Sequence, residues 1–128
     1  MFMAQFCAHN PAMPKRPVNV HRAYHAHIYF DAPTVEQARS LSEEAGRLFN
    51  VQVGRLHEKN VGPHPMWSRQ IAFSSEVFDQ LVPWLDANRN GLDVFIHGLS
   101  GDELKDHTDF AYWLGNEHQL DLSMFGAS

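Results

Sequence analysis

Cys7 is the one cysteine in a chain of 128 residues, so no disulfide can close within it. A reducing, cytoplasmic setting is therefore expected. Long apolar runs are missing too. Nothing approaches the roughly 18 consecutive apolar residues that a membrane span needs. Residues 1–7 have neither a basic start nor an extended apolar stretch, and no secretory signal is expected there. Basic residues are in deficit, 10 Lys and Arg against 15 Asp and Glu. The resulting formal charge of −5 argues against a nucleic-acid partner, which would want a basic face. No Gly-rich phosphate loop and no Gly-x-Ser-x-Gly elbow occurs, which leaves nucleotide-binding and serine-hydrolase readings without support. The remainder is an ordinary globular balance, 44% hydrophobic and 20% charged, in a length that fits one domain with a real core.

Histidine is what the chain has in excess, 9 residues in all. Two of them stand one residue apart in Tyr24-His25-Ala26-His27-Ile28-Tyr29-Phe30, a run that otherwise reads as a buried strand. Successive strand side chains point to opposite faces. Tyr24, Ala26, Ile28 and Phe30 can thus face a core, while His25, His27 and Tyr29 line the other side. At about 3.3 Å of rise per residue the two histidine Cα atoms stand roughly 7 Å apart, close enough for one metal ion to take both side chains.

Residues 1–20 carry Pro11, Pro14 and Pro17 with little periodicity and read as an irregular or poorly ordered arm, leaving 21–128 as a single domain. A first strand covers about 22–30. Thr34 and Gln37 offer a capping box for a helix whose apolar positions are Val35, Ala38, Leu41, Ala45 and Leu48. A second strand near 51–58 ends at His57, and the stiff loop Asn60-Val61-Gly62-Pro63-His64-Pro65 leads to a third at about 67–73. Ser74 or Ser75 can cap a second helix built on Val77, Phe78, Leu81, Val82 and Leu85, with Pro83 predicting a kink and Gly91 a left-handed stop. A fourth strand covers 92–97, the aromatic run 110–115 reads as a helical turn, and 120–125 alternates like a short last strand. The order βαββαβ predicts an α+β, ferredoxin-like fold: a four-stranded antiparallel sheet, two helices on one face, and a C-terminal extension. The other face would be left for the tail or a second subunit to cover, so a homodimer is expected.

In that arrangement the first and fourth strands are antiparallel neighbours, which brings His25 and His97 to the same end of the sheet, with His27 one pleat further in. His25, His27 and His97 form the leading metal triad. His107 leaves the same end and can add a ligand or a proton donor, whereas His57 and His64 belong to the opposite end. His9, His21 and His118 look incidental. Neutral imidazole suits Fe, Zn, Cu and Ni, and three protein ligands leave the open positions that a catalytic metal needs.

The chain resembles the DOPA 4,5-dioxygenase family. The resemblance lies in the 24–30 run, in Val53-Gly54-Arg55-Leu56-His57-Glu58-Lys59 with Val61-Gly62-Pro63-His64-Pro65-Met66, and in Leu81-Val82-Pro83-Trp84-Leu85 with Asn88-Arg89-Asn90-Gly91-Leu92. It continues through Ile96-His97, Gly101-Asp102-Glu103-Leu104-Lys105-Asp106-His107, Thr108 and Trp113-Leu114-Gly115, covering roughly residues 22–125. Gly98 departs from it, since proline is expected after the histidine. The resemblance implies extradiol opening of a catechol such as DOPA by molecular oxygen on non-haem Fe(II). On that footing His107 or His57 is the expected base and acid, and His64 a substrate contact. Arg69 or Arg55 would hold a substrate carboxylate, and Phe95, Tyr29 and Trp113 would stack on its ring. A two-histidine, one-carboxylate iron site would instead draw on Asp93, Asp106 or Glu58. The alternatives are zinc or another divalent metal doing hydrolase or lyase chemistry, and a dimer that binds a small aromatic ligand without turnover.

Overall fold

The computed structural model describes residues 15–125, so most of the expected arm, Cys7 included, lies outside the described residues. Strand β1 (Ala23–Phe30) leads through a 3-10 turn into helix α1 (Val35–Phe49), followed by β2 (Gln52–His57) and β3 (Trp67–Ser74). Helix α2 (Ser75–Asn88), β4 (Val94–Gly98), the one-turn α3 (Glu103–Asp106) and β5 (Ala111–Leu114) complete the order. The strands form one antiparallel sheet in the order β2-β3-β1-β4-β5. The α+β reading stands, but the sheet has five strands where four were expected.

The fifth strand comes from the run that reads as a helical turn. Its aromatic residues have period 2 once paired: Trp113 sits opposite Phe95 and Tyr112 opposite Ile96. Tyr112 and Leu114 join the helix-side core and Trp113 the far side. Sheet pairing has overridden local propensity. The 120–125 segment, for its part, is irregular and ends in a 3-10 turn at Ser123–Phe125 rather than a strand. The capping expectation also shifts. Asp31 and Thr34 form the box around the 3-10 turn, the Thr34 side chain makes no cap bond to α1, and Gln37 instead donates to the carbonyls of Arg89 and Asn90. Helix α2 runs on through Pro83. It is stopped at Asn90 and Gly91, both with left-handed φ.

Tyr24, Ala26, Ile28 and Phe30 are buried against Ala38, Leu41 and Ala45 of α1 and Phe78, Leu81 and Leu85 of α2, as the alternation predicts. The far face is covered as well. Tyr29, Phe95 and Trp113 form a second, smaller core, with Met66 and Leu120 packed on it. The loop after β2 and the stretch after β5 supply this cover, so the bare face that motivated a second subunit is absent. Among the described residues no helix is long and apolar enough to cross a membrane.

Candidate metal centre

The antiparallel register of β1 and β4 sets His25 directly opposite His97, and His27 opposite Phe95. All three imidazoles project from the face away from the helices. One ligand atom from each lies within 4.8 Å of the others. The nearest pair is His27 Nε2 to His97 Nε2 at 3.1 Å. His97 Nδ1 lies 3.0 Å from the Gly98 carbonyl, which can only accept, so Nδ1 carries the proton and Nε2 turns its lone pair to the cleft. His27 then donates across the gap, and a cation held there takes the place of that proton. Burial disfavours charge on these rings. It pulls His97 down to about 3 and His27 well below its ordinary value, the neighbouring histidines adding to the effect, while the half-exposed His25 moves the same way. Neutral, desolvated imidazole is the form that ligates a metal.

The triad opens into a cleft of about 360 Å³ walled by His64, Gln70, Leu99, His107, Met124 and Phe125. His107 joins by way of α3. Its Nδ1 donates to the Glu103 carbonyl at 2.7 Å, which leaves Nε2 bare, and its ring centre is 4.4 Å from that of His97. His64 does not belong to the far end of the sheet. The loop at 61–65 folds back, a reverse turn closing with His64 N–H to the Val61 carbonyl. This sets the His64 ring 4.2 Å from His27, with Nδ1 2.8 Å from the buried Tyr29 hydroxyl. Burial holds His64 down at about 4 and the Tyr29 phenol far above its usual value. His57 stays at the end of β2, where it shares a smaller cavity of about 130 Å³ with His64 and His27.

Other expected site residues lie elsewhere. Arg69 points to the helix side, not the cleft. It donates to the carbonyl of Gly54 at 2.9 Å and to Ser42 Oγ at 3.1 Å, and pairs with Glu43 at 3.3 Å. That ties β2 and β3 to α1. Arg69→Met should therefore lower stability by about 2 kcal/mol, read from a urea midpoint, with metal uptake unchanged. Arg55 is exposed on the edge strand and does not line the cleft. Phe95 and Tyr29 are fully buried, with Phe95 stacked on Trp113 at 4.8 Å, so they are the floor under the histidines and not a platform open to a ligand ring.

Asp93 and Glu58 stand apart from the triad, whereas Asp106 lines the same cleft with its carboxylate taken up by Ser100. Asp93 accepts from the Asn116 backbone and pairs with His118 at 2.8 Å, Asp106 accepts from the Ser100 N–H and hydroxyl, and Glu58 is exposed. Sequence reasoning missed His118, which fastens the tail to Asp93, and His21, which packs beneath the end of β4. Neither has a local pattern to betray it, because each meets its partner only through the sheet.

Comparison with known proteins identifies the family of the chain. The model of the Dopa 4,5-dioxygenase family matches residues 24–124. An uncharacterized 21.2 kDa protein of Botryotinia fuckeliana is 36% identical over 114 residues, 80% of this chain and 62% of that protein. A DOPA 4,5-dioxygenase of Amanita muscaria is 29% identical over 111 residues, 80% of this chain and 49% of that protein. The chain thus spans less than two thirds of the length of either relative. A crystal structure from Nostoc punctiforme, described as a candidate dioxygenase, is similar with a TM-score of 0.80 and 40% identity, over 83% of this chain and 92% of that one. The family match begins at the strand bearing His25 and His27 and runs into the tail that roofs the cleft: the chain belongs to the Dopa 4,5-dioxygenase family.

Proposed function

We propose that this protein is an Fe(II)-dependent dioxygenase that opens the ring of a catechol of the DOPA type beside its diol, taking both atoms from molecular oxygen. The observation that carries the reading is the set of three imidazoles whose ligand atoms lie within 4.8 Å of one another at the bottom of a cleft of about 360 Å³. Their donor chemistry suits a divalent metal: they are kept neutral, and His97 is oriented through its other nitrogen by a carbonyl. Bound there, Fe(II) would supply the redox chemistry that lets a catechol react with dioxygen.

The chain's own groups bind the catechol and move its protons. His107, with Nε2 bare and 4.4 Å between its ring centre and that of His97, takes a proton from a catechol hydroxyl and later returns it. His64, fixed by Tyr29, contacts the diol from the opposite wall. His57 stands behind it as a second proton acceptor. Leu99, Met124 and Phe125 give the cleft an apolar side against which an aromatic ring can lie. Among the described residues no arginine lines the cleft, so a substrate carboxylate finds no guanidinium clamp there. A homodimer belongs to the same reading on one ground only, the outer edge of β2, which no other strand covers among the described residues.

Anaerobic loading with Fe(II), followed by a panel of catechols in air-saturated buffer, tests the reading. One O₂ consumed per catechol, with a yellow ring-fission product, is the expected result. Stoichiometric iron with no oxygen uptake on any catechol overturns it.

A further inference from the structure

His21 lies just ahead of β1 on the helix side of the sheet, with its imidazole laid over Gly98. A Cβ at residue 98 would fall 2.5 Å from the ring's Cδ2, 2.6 Å from Cγ and 2.8 Å from Nδ1, closer than real side chains approach. Glycine is therefore required there by the ring. The ring itself is held on several sides. Its Nε2 is 3.0 Å from the Tyr112 hydroxyl, and Phe110 meets it edge-on with 4.6 Å between centres. The His21 backbone N–H donates to the Tyr24 hydroxyl at 2.8 Å.

Gly98 follows the central ligand of the triad, and its carbonyl is the group to which His97 Nδ1 donates. Glycine has little intrinsic restraint on φ and ψ, so this carbonyl keeps its aim only if its surroundings impose it. The Gly98 N–H is bonded to the Phe110 carbonyl at 3.1 Å, and the next amide, Leu99, donates to Ala23 at 3.0 Å. The Leu99 bond steadies the far side of the peptide unit that carries the Gly98 carbonyl, and the His21 ring lies against the side where a Cβ would stand.

We propose that His21 is a positioning residue for the metal centre: seated on Gly98 and held by Tyr112, its ring fixes the carbonyl that orients His97. The inference rests on the reading of His25, His27 and His97 as metal ligands, yet His21 touches none of them, acting through the backbone from the opposite face of the sheet. Groups that orient ligating histidines in this way typically change metal affinity by about 10–100-fold when removed.

The test uses the full chain with ¹⁵N-labelled histidine, alongside Co(II) titration. In the metal-free wild type, His97 should show the single tautomer protonated at Nδ1. His21→Ala should give a mixture of tautomers and bind Co(II) about tenfold more weakly, with an altered ligand-field spectrum. Tyr112→Phe, which removes only the hydroxyl, should move both readouts in the same direction by less, and decides the matter should His21→Ala not fold. A wild-type tautomer and wild-type Co(II) affinity in these variants overturn the proposal. Wild type that binds no Co(II), together with a tautomer shift in the variants, overturns the metal reading and leaves the positioning of His97 by His21 standing.

Discussion

His25→Ala should leave the protein folded and empty of metal. His25 is half exposed and projects from the face away from the helix-side core, so its truncation should cost about 1 kcal/mol of stability or less. The loss to the metal is far larger. Structural zinc sites bind with about 10–16 kcal/mol through four ligands, or about 2.5–4 kcal/mol each. Removing one of three should therefore weaken retention by about two to three orders of magnitude. His27→Ala and His97→Ala should act alike on metal content, though with more effect on stability, because both rings are buried. Elemental analysis after desalting, set beside a thermal melt, checks the prediction. Unchanged metal content in all three variants would remove the triad from consideration.

The second expected result concerns acid. The metal-free protein should lose stability steadily as pH falls below about 6.5. The sign follows from where the protons bind. An unfolded histidine takes up its proton near 6.5, whereas buried His97 and His64 resist protonation until about 3 and about 4. Between those limits the unfolded chain holds more protons, so falling pH favours unfolding, and the full stability returns above 6.5. At pH 5 each ring costs about 2 kcal/mol, about 1.36 kcal/mol for each unit of pH below 6.5. The two together make about 4 kcal/mol, a large part of the 5–15 kcal/mol typical of a domain. Urea midpoints at pH 7.5 and pH 5 should show the loss, to which buried His27 adds in the same direction, and His64→Asn should recover about 2 kcal/mol of it. Equal midpoints at the two pH values would mean that these rings are hydrated in solution.

The histidine cluster is legible in the sequence because it depends on strand alternation and antiparallel order alone. Period 2 places His25 and His27 on one face, and the βαββαβ order makes β1 and β4 neighbours, which fixes His97 opposite His25. Arg69 shows where that logic failed. It pairs with Ile28 across the strands and shares the helix-facing side, a parity that could have been counted from Ile71 and Phe73 in the same strand. The place of His64 was beyond reach, because a Gly-Pro loop can leave a strand in either direction. Its return over the sheet is decided by Tyr29 and by the tail, both distant in sequence. The fifth strand was hidden for a related reason. An aromatic run as short as 110–115 fits a helical turn and an edge strand equally well until β4 offers its side for pairing.

The roof of the cleft is tied to its wall by one main-chain bond, from the Asp121 amide to the Pro63 carbonyl at 2.9 Å. The loop that presents His64 and the tail that ends in Met124 and Phe125 are thus fastened to each other, and a guest lodged between them favours the fastened state. By thermodynamic reciprocity, whatever strengthens that tie tightens the hold on the guest, and whatever loosens the tie weakens it. The choice of guest can then be tuned from these two irregular segments, leaving the strands that carry the three histidines untouched.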